Sequence, residues 1–423
     1  MADQEQPKNE FPSVAKQLGP GLITGAADDD PSGIATYSQA GAQFGYGLMW
    51  TMLLTYPLMS AVQLISAHIG RVTGRGLAAN MSQILPRWLV MLLVALLFFA
   101  NTINVGADLS AMGDAARLVA GGNPHVFTVA LALISLVLQV FVPYHRYSRV
   151  LKWLTLSLLA YAAVAIAVKV DWRAAATGLV VPHLEGKEAV TVIVALFGTT
   201  ISPYLFFWQT AQEVEEIEED PEAEPLRKAP AQAPREMRRM RIDTLVGMGF
   251  SNLIALAIIV ATAATLHAAG KTEIGTAAEA AEALRPVAGS FAFGLFAMGI
   301  IGTGLLAVPV LAGSAAFAVG DSCGWKCGLE HKLMEAKGFY AVIAASTLLG
   351  IGISWSGIPP IKALFWSAVI NGFAAVPIMA VMMVLVSRPS TMGRFRASPL
   401  LLGLGWIGTL VMAAAAAAML IWQ

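Results

Sequence analysis

The sequence predicts an all-α polytopic membrane protein with eleven transmembrane helices, on the basis of three observations. Of its 423 residues, 57% are apolar and only 13% are charged, against roughly 45–50% and 25% in soluble domains. Apolar runs of about 18–25 residues, long enough to cross a bilayer, recur eleven times between charged or Gly/Pro-rich breaks. Two of these runs, five spans apart, are interrupted by proline and polar residues. The composition excludes a typical water-soluble enzyme, and the formal charge of zero predicts no nucleic-acid partner.

The predicted spans alternate across the membrane, and the positive charges set their direction. Lys and Arg resist translocation and therefore accumulate in cytoplasmic segments. With the N-terminus placed in the cytoplasm, most of the 27 Lys and Arg residues fall on the cytoplasmic side. We expect a protein of the cell (inner) membrane with a cytoplasmic N-terminus and an extracytoplasmic C-terminus. The spans are predicted at 18–43, 47–69, 87–109, 125–143, 150–170, 188–211, 243–268, 288–318, 335–355, 360–386 and 399–422.

The spans group into two predicted repeats of five helices and one further helix. The longest polar stretch, at 213–241, begins with acids, passes a Pro/Ala segment and ends in basic residues. Such charge runs are usually solvated, so we expect a helix extension plus linker; the alternative is a rim that attracts cations at the cytosolic mouth. The predicted units are 1–17 (cytoplasmic N-terminus), 18–170 (first repeat), 171–187 (outer connection), 188–386 (second repeat, with the cytoplasmic loop 213–241) and 387–423 (eleventh helix).

The first span carries charge at membrane depth, where charged groups are costly and usually functional. Residues 25–33 place three aspartates, Asp28–Asp30, next to Pro31 and Ser32. Pro31 lacks an N–H and clashes with the carbonyl four residues back, and glycines permit irregular torsions. We therefore expect the helix to break here. Broken backbone is tolerated in a membrane only where it is buried in protein or lines a wet cavity, so free carbonyls beside carboxylates predict a cation site.

The sixth span repeats this pattern. Residues 198–204 set Pro203 within a polar, glycine-flanked interruption. Broken helices at corresponding positions of two five-span halves indicate an inverted-repeat transporter with its substrate site at the midplane. The alternative is that Pro31 and Pro203 only kink packed helices, as transmembrane prolines often do. No nucleophile, base and orienting group cluster at the breaks, so the sequence does not predict an enzyme.

Scattered positions of spans one to ten carry a family pattern. They are Gly19–Gly21, Gly33, Ala35–Thr36, Gly45–Tyr46, Gln63, Val72–Gly74, Ala107–Leu109, Asp243, Asn252, Phe373–Ala374 and Pro377–Ile378. Together with the two breaks, they resemble the Nramp family of divalent metal transporters. The resemblance implies a LeuT-like fold of inverted five-helix repeats with broken first and sixth helices. It also implies divalent metal ions as transported substrate rather than as cofactor; no obligate protein partner is evident.

The resemblance assigns candidate metal ligands to the first break. The family motif Asp-Pro-Gly-Asn reads DPSG at 30–33 in this chain. Asp30 therefore matches the metal-binding aspartate, whereas the asparagine ligand is replaced by Gly33. The backbone-carbonyl ligand of this helix falls on Ala27 by position. The additional acids raise the negative potential, and Asp28 is included as a candidate ligand.

The second break departs from the family in a way that changes the expected ion. The motif Met-Pro-His-Asn reads SPYL at 202–205, so Ser202 replaces the methionine, and the carbonyl ligand falls on Thr199. Soft sulfur favours transition metals, whereas oxygen suits hard cations. Mg²⁺ is typically held by one or two carboxylates with several waters retained, and small residues at Ser202 and Gly33 leave room for water. The sequence therefore favours the Nramp-related magnesium transporter branch, with Mn²⁺ as a competing substrate.

Coupling to protons is the second departure. In proton-coupled Nramps, histidines of the sixth helix and acids of the third line the proton route; the matching positions here are Tyr204, Gln209, Asp108 and Ala111. Tyr and Gln do not titrate near neutral pH, so we expect uptake without obligatory protons. Two alternatives stay open: a proton-coupled Mn²⁺/Fe²⁺ Nramp transporter, and a more distant Na⁺-coupled amino-acid transporter with the same helix layout.

Overall fold

The computed structural model describes residues 24–25, 27–142, 156–183, 186–329 and 331–422, and every regular element in these ranges is helical. The predicted N-terminal unit 1–17 lies outside the described residues. The helices are α1 (Pro31–Phe44), α2 (Trp50–Thr73), α3 (Leu77–Met81), α4 (Arg87–Ala120), α5 (Pro124–Phe141), α6 (Leu159–Ala167), α7 (Trp172–Val180), α8 (Gly186–Thr200), α9 (Pro203–Glu219), α10 (Ala233–Thr262), α11 (Ala277–Glu282), α12 (Arg285–Ala288), α13 (Ala292–Cys323), α14 (Lys337–Ser354), α15 (Pro360–Ser387), α16 (Pro389–Met392) and α17 (Pro399–Trp422).

Within the described ranges, nine helical stretches are long and apolar enough to cross a membrane. They contain α2, α4, α5, the pair α8 and α9, α10, α13, α14, α15 and α17. The two predicted spans that are missing from this set, 18–43 and 150–170, both begin outside the described residues. Their described parts are α1, with the helical residues just before it, and α6 with a 3₁₀ turn at Leu156–Leu158.

Helix α1 lies in the interior of the bundle, in contact with α10, α15 and α8. Two glycines show how tightly these helices pack. A Cβ added to Gly41 of α1 would lie 2.1 Å from Thr262 Oγ1 on α10, and one added to Gly198 of α8 would lie 2.0 Å from the Ala368 carbonyl oxygen on α15. Small residues allow this close approach of membrane helices, and they fix the positions of both interrupted helices.

The polar stretch 213–241 consists of the ends of two helices and a linker between them. Helix α9 continues to Glu219 and α10 begins at Ala233, after a 3₁₀ turn at Pro230–Gln232. Glu, Lys and Arg are strong helix formers, which explains why the charged run extends the helices. The predicted outer connection 171–187 likewise contains a helix, α7, whose N-terminus is capped by the Asp171 carboxylate.

The acidic run is also less solvated than its composition predicts. Glu213 is fully buried, and its carboxylate lies 2.6 Å from the guanidinium group of Arg239. Arg239 also contacts Glu216 at 2.8 Å and Glu236 at 3.0 Å, and Glu236 contacts Arg71 of α2 at 3.0 Å. Pairing is what makes burial of such charges tolerable. This network joins the C-terminal parts of α2 and α9 to the N-terminal part of α10.

Candidate functional site

The first interruption is built around Asp30. Residues Ala27 and Asp28 are helical, Asp29 and Asp30 are not, and α1 begins at Pro31. The break therefore precedes Pro31 and Ser32, which instead form the first turn of α1. The reason is that a proline at the first helical position loses no hydrogen bond. Asp30 caps this turn.

The two carboxylate oxygens of Asp30 have different surroundings. Oδ1 accepts from the Gly33 backbone N–H at 2.7 Å and from Ser32 Oγ at 2.7 Å. Oδ2 accepts from Asn104 Nδ2 of α4 at 3.1 Å and lies 3.5 Å from the Tyr204 hydroxyl of α9. Asp30 is 1% exposed. Oδ1 is thus occupied by local capping, and Oδ2 is the oxygen that faces the other helices.

The second interruption lies at Ile201–Ser202, and α9 begins at Pro203. The same backbone rule applies, since Pro203 is again the first helical residue. The Ser202 hydroxyl donates back to the end of α8, at 2.7 Å from the Gly198 carbonyl and 2.8 Å from the Thr199 carbonyl. Because its proton is used in this way, the lone pairs of Ser202 Oγ stay available to an electropositive partner.

The structure brings the two interruptions together. The Tyr204 hydroxyl donates to the Ala27 carbonyl at 3.2 Å, and a Cβ added to Gly33 would lie 3.2 Å from Thr199 Oγ1. The added Cβ would also lie 3.2 Å from the Tyr37 ring. Gly33 therefore allows two half-helices to touch, and the space next to it is filled by protein in this conformation.

Asp28 has a different neighbour from Asp30. The Ser251 hydroxyl of α10 lies 2.6 Å from Asp28 Oδ2 and 3.0 Å from Asp29 Oδ1. Both carboxylates are buried. Asp28 Oδ2 is thus directed toward α10, whereas Asp30 Oδ2 faces α4 and α9.

Of the three residues predicted along an ion or proton path, Tyr204 lies in this site. Asp108 is one helical turn after Asn104 on α4 and is fully buried; neither of its carboxylate oxygens has a hydrogen-bond partner within the described chain. Gln209 Oε1 accepts from Thr24 Oγ1 at 2.6 Å. This bond ties α9 to the first helix before its break.

The arrangement around Asp30 supplies mostly neutral oxygens. In the described ranges, no three His, Cys, Asp or Glu side chains converge as they would around a metal ion. A cation at Asp30 Oδ2 would meet one carboxylate oxygen together with hydroxyl, amide and backbone groups. Hard cations accept such a ligand set.

Sequence reasoning missed Asn104, Ser367 and Ser251. Ser367 Oγ of α15 lies 2.7 Å from Asn104 Oδ1, so a chain of polar groups runs from α15 through α4 to Asp30. One signal was available: a buried polar residue four positions before Asp108 lies on the same face of its helix. The contact of Ser251 with the acids depends on tertiary packing and has no sequence signature.

Residues 21–422 match the family model described as natural resistance-associated macrophage protein-like, Nramp. The chain belongs to the Nramp family. Among relatives, it is 28% identical over 381 residues to the divalent metal cation transporter MntH of Acidiphilium cryptum, covering 86% of this chain and 81% of that protein. It is 26% identical over 414 residues to MntH of Caldanaerobacter subterraneus, covering 92% and 89%.

Solved structures agree on the fold of this Nramp protein. The manganese transporter of Eremococcus coleocola, in complex with an aromatic bis-isothiourea substituted compound, superposes with a TM-score of 0.77 at 15% identity, covering 99% of this chain and 88% of that one. Mhp1, a nucleobase-cation-symport-1 family transporter, gives a TM-score of 0.56 at 13% identity. The predicted family, the all-α LeuT-like fold and the classification as a membrane transporter rather than an enzyme are confirmed.

Proposed function

We propose that this Nramp protein, a divalent metal cation transporter, moves Mg²⁺ and Mn²⁺ into the cell by alternating access without obligatory proton coupling. The observation that carries the proposal is the surroundings of Asp30. One of its carboxylate oxygens is held by local hydrogen bonds, and the other faces neutral oxygen and amide groups at the meeting point of two broken helices.

The ligand set supports a hard ion. Ser202 stands where the family motif has a thioether, and sulfur is the ligand that selects soft metals. Mg²⁺ is usually bound through one or two carboxylates while it keeps several waters. The single Asp30 oxygen that faces the other helices, Oδ2, fits an ion that keeps part of its water shell. Mn²⁺ accepts the same oxygen ligands.

The second break supports transport without protons. Tyr204 donates its hydroxyl proton to the Ala27 carbonyl, and Gln209 is bonded to Thr24; neither group exchanges protons near neutral pH. A divalent ion gains about 4.6 kcal/mol from 100 mV of inside-negative potential, twice the value for a single charge. Voltage alone is therefore sufficient to drive accumulation.

We further propose that access alternates through movement of the segment before the first break. Asp30, Thr199, Ser202 and Gln209 are all at most 1% exposed, so the site is closed in this conformation. Opening toward the cytoplasm requires the Thr24–Gln209 hydrogen bond to break, since it ties the start of the first helix to α9. Asp30 caps α1, which packs on α10, and this keeps the ion ligand in place while the preceding segment moves.

The coupling claim is tested with purified protein in liposomes that contain a pH indicator. We expect Mg²⁺ and Mn²⁺ to enter under an inside-negative potential while the lumenal pH stays constant. The proton-coupled alternative rests on Asp108, a buried acid with no hydrogen-bond partner in the described chain. Metal-dependent acidification that disappears in Asp108→Asn would establish that alternative and contradict uncoupled transport.

A further inference from the structure

Asn104 of α4 is buried next to the site and lies outside both helix breaks. Its Nδ2 donates to Asp30 Oδ2 at 3.1 Å, and its Oδ1 accepts from Ser367 Oγ at 2.7 Å. Asn104 and Ser367 are both fully buried. The Asn104 amide is thus held between Asp30 Oδ2 and the Ser367 hydroxyl on α15.

Ser367 has a choice of acceptors. Its Oγ lies 2.7 Å from Asn104 Oδ1 and 2.7 Å from the Leu364 carbonyl oxygen. A hydroxyl carries one proton but can also accept. When Ser367 donates to Leu364, its oxygen is free to accept a hydrogen bond from the Asn104 amide N–H. Ser367 therefore satisfies Asn104 in either orientation of the amide.

The preferred orientation of the Asn104 amide next to Asp30 Oδ2 depends on whether a positive charge is present there. With Nδ2 toward Asp30, a donor meets a carboxylate oxygen. With Oδ1 toward Asp30, two acceptors would face each other, which is unfavourable unless a positive ion stands between them. A divalent cation at Asp30 Oδ2 reverses this preference, because it attracts both oxygens and repels the N–H group.

We propose that Asn104 is a ligand of the transported ion: when a divalent cation reaches Asp30 Oδ2, the amide turns over and offers Oδ1 to the ion or to one of its waters. Ser367 then donates to Leu364 and accepts from the turned Asn104 amide. This inference rests on the proposed function, namely a divalent cation at Asp30. Asn104 would supply from α4 the amide oxygen that position 33 lacks. The ion would then be bound by one carboxylate and by neutral oxygens.

The same helix contains a second asparagine–serine pair, Asn101 and Ser314, whose hydrogen bonds within the described chain do not include Asp30. Asn101 Nδ2 donates to Ser314 Oγ at 2.9 Å and to the Leu311 carbonyl at 2.9 Å, and Ser314 Oγ also lies 2.9 Å from the Leu311 carbonyl. Asn101 is fully buried. It has the same side chain and the same kind of partner as Asn104, but it binds α13 instead of Asp30.

The test compares Asn104→Leu, Asn104→Asp and the control Asn101→Leu in liposome uptake of Mg²⁺ and, in parallel, Mn²⁺. Asn104→Leu removes the oxygen, and we expect its KM to rise about tenfold, the equivalent of ~1.4 kcal/mol, with a smaller change in kcat. Asn104→Asp keeps an oxygen ligand but replaces the donor by a second acceptor with a negative charge, which the bound cation offsets, so its KM stays within about threefold of the wild type, less than the tenfold that ~1.4 kcal/mol represents. We expect Asn101→Leu to leave KM unchanged, with uptake rates normalised to the amount of folded protein.

A role confined to donating to Asp30 gives a different result. In that case Asn104→Asp sets two carboxylates against each other without a donor and raises KM as much as Asn104→Leu does. That result, or equal KM values for Asn104→Leu and Asn101→Leu, overturns the inference. Mg²⁺ transport that survives Asp30→Ala would instead overturn the proposed function.

A second measurement covers the case in which Asn104→Leu does not fold. Ser367→Ala removes the acceptor for the turned amide, whereas Ser314→Ala removes the matched hydroxyl on α13. Calorimetric titration of the folded, detergent-solubilised variants with Mn²⁺ alone is expected to show weaker binding for Ser367→Ala only. Equal affinities in the two serine variants would contradict the turning amide.

Discussion

The two broken helices use the same backbone geometry and supply different chemistry. In both, a proline starts the second half-helix and the residue before it is extended, with φ −67° and ψ 169° at Asp30 and φ −79° and ψ 134° at Ser202. The first break contributes a carboxylate whose Oδ2 faces the other helices. The second contributes a hydroxyl and carbonyl oxygens without formal charge.

This difference assigns separate roles to the breaks. We propose that the attraction for a doubly charged ion comes from Asp30, because Coulomb energy between full charges far exceeds that with neutral dipoles in a buried site. We propose that the choice among divalent ions comes from the second break, where the side chain at position 202 sets the softness of the ligand. Substitutions at the first break should therefore abolish transport, and those at the second should change which ion is carried.

The largest expected effect is that of Asp30→Asn. The variant keeps an acceptor for Ser32 and the Gly33 N–H but loses the charge. Removing one partner of a buried charge pair costs about 3 kcal/mol or more, so Mg²⁺ uptake should fall at least about a hundredfold. Ser202→Ala, at the second break, is the matched control and should retain uptake within about tenfold, ~1.4 kcal/mol. Similar losses in both variants would remove the distinction between the breaks.

Ser202→Met tests selectivity rather than attraction. The thioether adds a soft ligand next to Thr199 and removes the hydroxyl that bonds the Gly198 and Thr199 carbonyls. We expect Cd²⁺ uptake relative to Mg²⁺ to rise about tenfold or more, because sulfur prefers soft metals. Uptake of both ions is measured in the same liposomes. An unchanged ratio would show that position 202 does not contact the ion.

Gly33→Ala tests the contact between the two breaks. The added Cβ would lie 3.2 Å from both Thr199 Oγ1 and the Tyr37 ring, so these neighbouring groups must shift by a few tenths of an ångström. Overpacking of this kind costs about 1 kcal/mol, and Mg²⁺ uptake should fall about fivefold. Gly403→Ala in α17 is the control, because a Cβ there meets nothing within 4 Å. Full activity of Gly33→Ala would show that the close approach is not needed for transport.

Tyr204→Phe should have the smallest effect. It removes the hydrogen bond to the Ala27 carbonyl, and a net loss of ~0.5 kcal/mol corresponds to a two- to threefold rise in KM for Mg²⁺. If the hydroxyl were a proton carrier, the variant would instead abolish uptake and change its pH dependence. Initial uptake rates across a pH series distinguish these outcomes.

Much of the fold could be predicted from the sequence, because membrane spans are long apolar runs and their breaks contain proline. Both interruptions were predicted within a few residues. The breaks lie immediately before Pro31 and Pro203, because a proline at the first helical position loses no hydrogen bond and starts the next helix. At 213–241 the charge run predicted a solvated helix extension and linker, and charge alone does not reveal that Glu213 and Arg239 pair in a buried network.

The site was only partly predictable. Asp30 and Ser202 stand in recognisable motifs, whereas Asn104 and Ser367 become neighbours of the site only when α4 and α15 pack against α1. The direction of Asp28 toward Ser251 likewise depends on the position of α10. Contacts between distant parts of the chain are set by packing, and a single sequence carries no local pattern for them.

The most direct test of the central claim is uptake of Mg²⁺ by the wild-type protein in liposomes with equal concentrations of Cd²⁺ outside. A site of one carboxylate and neutral oxygens should carry Mg²⁺ under an inside-negative potential with its rate at least half maintained. Complete block of Mg²⁺ uptake by Cd²⁺, or faster entry of Cd²⁺ than of Mg²⁺, would contradict the oxygen-ligand account.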